Sequence, residues 1–209
     1  MRKYIEKIAV VLMLTLFIGM TGCSKAEDFN AEAYMKDCMD ARYRGEYKGY
    51  ADCLGISEDE AKKQIEESFE KSIAAQFEVS DGISEEGIAA YVEKMREVNR
   101  LAKYEILEAA GMKDGSYTVK VQVEPSDVFQ TLEKSAGEVS SELIVQGKTE
   151  SDPGIFETVL CESVQKSIDG NTYGSPFIVE VTVTKDDSGV YVLEEMEMDR
   201  LEAAMFPGE

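Results

Sequence analysis

The hydrophobic period first changes along this chain near residue 103, and that change constrains the fold more than any other feature. Before it, apolar residues recur at helical spacing. Ala61, Ile65, Phe69, Ile73 and Phe77 fall four apart, and Ile88, Tyr91, Val92, Met95, Val98 and Leu101 share one helical face. After it, Tyr117, Val119, Val121 and Val123 alternate with Thr118, Lys120 and Gln122, the pattern of a half-buried strand. A second β-branched run covers Phe177 to Thr184, and Asp186-Asp187-Ser188-Gly189 turns it back through Val190 to Leu193.

The remaining punctuation completes the order. Ala31 to Arg44 reads as a helix and Glu46 to Leu54 as a short second one. Ser57 and Ser84 cap the third and fourth helices, and Glu60 stands at the capping-box position. Lys103 to Ala109 pairs with Tyr117 to Val123 as a hairpin. Ser126 caps a helix with Phe129, Leu132, Ala136, Val139 and Leu143 inward, stopped at Gly147. Asp152-Pro153 opens another, carrying Phe156, Val159, Leu160, Val164 and Ile168. Met198 to Phe206 closes the chain. The expected class is α+β, with helices packed on one face of an antiparallel sheet built from two hairpins, after an N-terminal signal helix. No long Pro/Gly/Ser linker divides residues 31–209, so they are read as one domain.

The first residues read as an address. Arg2, Lys3 and Lys7 precede an apolar run from Ile8 to Met20 that is short for a permanent membrane span. It ends in Met20-Thr21-Gly22-Cys23. Small residues before a cysteine resemble the bacterial lipobox, in which the signal is cut ahead of a diacylglycerol-bearing Cys; Met20 stands where Leu is usual. Residues 1–22 are thus expected to be a signal peptide and 23–30 a lipidated cysteine and its tether. The partner expected first is membrane lipid through acylated Cys23, with the body facing the extracytoplasmic side of the cell membrane.

Composition excludes whole classes of chemistry. The 209 residues hold 22 Lys and Arg against 42 Asp and Glu, a net charge of −20, which argues against nucleic acid as a partner. There is no His, so Ser-His-Asp and Cys-His catalysis and His-ligated metals are excluded. Two Ser-x-x-Lys spacings occur, Ser68 to Lys71 and Ser163 to Lys166, but the companion motifs of serine–lysine acyl-transfer enzymes are absent. Acidic clusters such as Glu66, Glu67 and Glu70 single out no catalytic pair and read as solvated helix faces. No cofactor is expected and no catalytic residue is assigned.

Two constellations remain as candidates. Cys38 and Cys53 lie symmetrically about Gly45-Glu46, so a helical hairpin there would bring them together, either as a disulfide or as two small core residues. Tyr43, Tyr47 and Tyr50 share a face if the helix runs on through Gly45. They would then form an aromatic platform for a ligand, or core aromatics with hydroxyls reaching water.

The lipobox, Tyr34, the segment Arg42-Tyr43-Arg44-Gly45-Glu46-Tyr47-Lys48-Gly49-Tyr50, the capped helix at Ser57, Ala102-Lys103-Tyr104-Glu105 and Tyr117 to Val121 together resemble a family of uncharacterised lipoproteins of Gram-positive gut anaerobes with one domain of unknown function. That resemblance implies localisation and assigns no catalytic residue. The element order is also similar to cystatin-like and NTF2-like folds, whose curved sheet and helices often enclose a pocket. The functional expectation is a non-enzymatic domain that binds a small ligand, a peptide or an envelope protein. The alternatives are an accessory envelope component without a pocket and, third, a hydrolase.

Overall fold

The computed structural model describes residues 29–77, 83–187 and 189–208. The chain is α+β: seven α-helices and one four-stranded antiparallel sheet among the described residues. The elements are α1 (Ala31–Met39), which runs on as a π-helical turn (Asp40–Arg44), α2 (Lys48–Leu54), α3 (Glu58–Ala74), α4 (Glu85–Asn99), β1 (Lys103–Gly111), β2 (Tyr117–Glu124), α5 (Leu132–Val145), α6 (Ile155–Asp169), β3 (Phe177–Lys185), β4 (Tyr191–Leu193) and α7 (Glu195–Met205).

The sheet order is β1-β2-β3-β4. Val119 lies opposite Val181 and Val121 opposite Val179, so the two β-branched strands stack their apolar sides on one face. Val119, Val121, Val123, Val181 and Val183 have no exposed surface. Helix α1 lies against β1 and β2, and α7 against β2 and β3. The opposite face carries Thr118, Lys120 and Gln122, partly exposed as the alternation requires. On that face Lys120 reaches Glu108 across the strands at 2.7 Å. Register shifts between Ile106 and Ala109, a bulge in the edge strand β1. At the other edge β4 is only three residues long, and α7 covers what it leaves: Glu197 accepts from the Thr182 amide at 3.2 Å, and Arg200 donates to the Glu180 carbonyl.

The remaining helices form a second layer in which α5 packs on α6 and α4 on α6. Glu157, in the first turn of α6, accepts from the Ser84 amide at 2.5 Å and so caps α4 from outside. A Cβ on Gly87 would lie 2.5 Å from that carboxylate carbon.

Several boundaries differ from the sequence reading. Ser57 and Ser84 do cap α3 and α4, accepting from the Glu60 and Gly87 amides. Ser126 does not cap a helix. It bridges to Tyr173, its hydroxyl donates to the Asn171 side chain at 2.6 Å, and α5 starts only at Leu132. Asp152 closes a turn onto the Thr149 amide, and α6 begins after Gly154, whose φ of 71° only glycine adopts freely. Residues 1–28, including the expected signal peptide and Cys23, lie outside the described residues. Phe29 and Asn30 belong to the domain rather than to a tether: Phe29 stacks on Tyr191 at 3.7 Å, and Asn30 caps α1 by accepting from the Ala33 amide.

Candidate functional site

The residues that build the site start at the π-turn. Five residues, Asp40 to Arg44, are wound one residue wider than an α-helix, and Gly45 ends them with φ 70°. The extra residue per turn puts Asp40, Arg42 and Tyr43 inside together, all buried. Burying this much polarity requires partners. Asp40 accepts from Tyr104 at 2.6 Å, from Arg44 at 3.0 Å and from Lys36. The Arg42 guanidinium donates to Glu202 on α7 at 2.5 Å, and Tyr43 donates to the same carboxylate at 3.4 Å. Burial pushes the Tyr43 and Tyr104 hydroxyls well above the usual phenol range, and Glu202 and Asp40 raise them further. Burial works against the Arg42 charge, but Tyr43 and Glu202 more than compensate and hold it protonated.

On the outer side of this network lies a cleft with a cavity volume of about 90 Å³, open in part to solvent. The π-turn contributes Arg42, Tyr43, Arg44 and Gly45, and Tyr47 follows. Helix α3 adds Ile65, Glu66 and Phe69, and the end of α4 adds Arg96, Asn99 and Arg100. Tyr47 donates to Glu66 at 3.3 Å across the cleft. Burial and Glu66 raise its hydroxyl, while Arg96 and Arg100 pull the other way. Arg96 lies over the Phe69 ring at 5.7 Å and is held from outside by Glu70 and Glu93. Arg44 lies over Tyr104 at 4.3 Å.

The tyrosine platform is only partly assembled. Tyr43 and Tyr47 line the cleft, but Tyr50 does not. Gly45 breaks the helix, so the four- and three-residue spacings do not share a face, and Tyr50 turns inward to the core, near Tyr34. The cleft also lies beside the helices, not between sheet and helices, where the valines of β2 and β3 fill the space. Arg96, Asn99 and Arg100 were missed by the sequence reading. The signal was present: Asn99 sits four residues after Met95 and seven after Val92, a polar residue on an apolar helical stripe.

Of the two readings left open for Cys38 and Cys53, the disulfide between them is not formed. Cys38 is a free thiol, wholly buried, with its pKa pushed up to about 12 by burial. Cys53 packs half-buried against the core. Cys38 sits where α1 meets the core, the role of a small apolar residue. Of the two Ser-x-x-Lys pairs, Ser163 is fully buried and donates to the Val159 carbonyl, while Lys166 is paired with Glu138 and Glu142 on α5. That hydroxyl is committed to its helix. Among the described residues, no group of His, Cys, Asp or Glu side chains could hold a metal ion, and no helix is long and apolar enough to cross a membrane.

No protein-family model matches the sequence, and no curated protein matches it. The fold is similar to the crystal structure of a putative lipoprotein (ycdA) from Bacillus subtilis subsp. subtilis str. 168, with a TM-score of 0.50 and 14% identity. The match covers 88% of this chain, which spans about 61% of that protein's length. At this identity the likeness establishes a shared fold.

Proposed function

We propose that this chain is a lipid-anchored extracytoplasmic lipoprotein whose folded body binds a ligand in the cleft between the π-turn, α3 and α4. Three lines support the anchor: the basic, apolar, small-residue order that ends at Cys23, the fold shared with a putative lipoprotein, and the resemblance to uncharacterised lipoproteins of Gram-positive gut anaerobes. The body is α+β, and its cleft is lined by helices and the π-turn.

The observation that carries the binding role is the makeup of the cleft: four arginines and Asn99 line it beside Phe69 and the rings of Tyr43 and Tyr47. The reading is binding: the cleft presents four guanidinium groups and one carboxylate, Glu66. One feature favours a protein partner in addition: Ile144 and Val145, at the end of α5, are 56% and 88% exposed.

Two measurements test the proposal. Cys23→Ala expressed beside wild type in a lipidation-competent bacterium is expected to leave the membrane fraction; a variant that stays there refutes the anchor. A thermal-shift screen of the full chain against small organic acids, sugars, nucleotides and peptides is expected to give a hit. A ligand at 100 times its Kd adds about 2.7 kcal/mol of stability. Silence across that screen refutes the ligand site.

A further inference from the structure

Four of the cleft's eleven lining residues are arginines and one, Glu66, is acidic, in a chain of net charge −20. The carboxylates that hold Arg42, Arg44 and Arg96 stand behind them: Glu202, Asp40, Glu70 and Glu93 do not line the cleft. Those pairs orient guanidinium groups rather than fill the space in front of them. Arg100, exposed at the C-terminal end of α4, has no carboxylate partner among the described residues. Next to it in sequence is Asn99, which also lines the cleft. The opposite lining is flat and apolar: Phe69, Ile65 and the rings of Tyr43 and Tyr47. Glu66 is engaged by the Tyr47 hydroxyl, and Lys62 lies 4.0 Å from it.

We infer that the cleft takes a small organic anion, a carboxylate or phosphate group on a flat apolar body, with Arg100 and the Asn99 carboxamide as its polar contacts. This rests on the reading of the cleft as the ligand site. The enclosed part of the cleft is about 90 Å³, room for the anionic group with its ring on the open side, and not for a folded partner. A guanidinium presents paired N–H donors that match an oxyanion, and the amide adds a neutral donor beside it. Ring faces and Phe69 supply the apolar contact.

The test uses the full lipoprotein in a non-ionic detergent, titrated with benzoate, phenyl phosphate, benzyl alcohol and benzylamine and followed by saturation-transfer NMR. Benzoate and phenyl phosphate are expected to bind at least tenfold more tightly than the neutral and cationic rings, and to weaken as salt is raised. Arg100→Gln is expected to weaken both anions about tenfold at unchanged melting temperature, the equivalent of about 1.4 kcal/mol. Tyr47→Ala, in the same detergent, separates cleft binding from partition into micelles. If benzyl alcohol or benzylamine binds as tightly as benzoate and Tyr47→Ala abolishes it, the site stands and its preference for anions is refuted. If the anions bind equally well to Arg100→Gln, the assigned contact is refuted. If no ring binds, the anion inference falls, and a silent general screen then removes the ligand site as well.

Discussion

The Arg42 guanidinium and the Glu202 carboxylate meet at 2.5 Å, 160 residues apart in the chain. Their contact ties the π-turn that shapes the cleft to the helix that closes the fold. The Arg42 side chain is only 3% exposed. Removing one partner therefore leaves a charge that water cannot reach. Glu202→Ala is expected to lower stability by about 3–5 kcal/mol. The double variant Arg42→Met/Glu202→Leu removes both charges and is expected to recover most of that loss. Urea unfolding of wild type and the two variants measures it. Equal stability of Glu202→Ala and wild type would show that the pair does not secure the turn.

Gly49 and Asp37 define the closest approach of α1 and α2. A Cβ on Gly49 would lie 2.1 Å from one Asp37 carboxylate oxygen and 2.3 Å from its carbon. Gly49→Ala removes a flexible residue from a short helix, which by propensity alone would stabilise by about 1 kcal/mol. The clash reverses that sign, and a net loss of about 1–3 kcal/mol is expected. Asp37→Ala removes the obstructing atoms, so Gly49→Ala in that background should become neutral or stabilising. Denaturation midpoints of the two backgrounds decide between these outcomes.

Thiol chemistry separates Cys38 from Cys161, the two free cysteines among the described residues. Cys38 has no exposed surface, and burial pushes it up to about 12; Cys161 is half-buried on α6, and burial raises it less. At pH 8 a thiol-exchange reagent is expected to label Cys161 slowly in the folded protein and Cys38 only on unfolding. Mass spectrometry of tryptic peptides reads the sites directly. Labelling of Cys38 at the same rate as Cys161 would show that α1 opens from the core far more readily than its packing implies.

Most of the fold could be read from the sequence, because local signals and the final packing agree. Ser57 and Ser84 cap the helices they precede, and the Tyr117 to Val123 alternation is the buried face of β2. The failures share one cause: distant partners outbid a local signal. Ser126 has the chemistry of a cap, but the neighbouring Asn171 side chain takes its hydroxyl. The Tyr43, Tyr47 and Tyr50 spacing presupposes a continuous helix, and the π-turn with Gly45 breaks it. The site was half visible. Arg42, Tyr43, Arg44 and Tyr47 lie in one short segment, whereas Arg96, Asn99 and Arg100 reach it only because α4 packs beside the π-turn.

The acidity of the α1–α2 junction has a measurable pH signature. Burial raises the Asp37 carboxyl above its ordinary value, and neighbouring Asp40 and Asp52 raise it further against the opposing pull of Lys36. A carboxyl raised on folding binds its proton more tightly in the folded state than in the unfolded one. In the window between its unfolded pKa and its raised folded pKa, stability therefore falls as pH rises, and the penalty is complete above that window. Asp37→Asn keeps the shape and removes the charge. It is expected to be more stable than wild type at pH 7 and to lose that advantage by pH 3, where Asp37 is protonated in both states. Urea midpoints at the two pH values test this. An advantage of the same size at pH 3 as at pH 7 would trace the effect to packing against Gly49 and not to the charge.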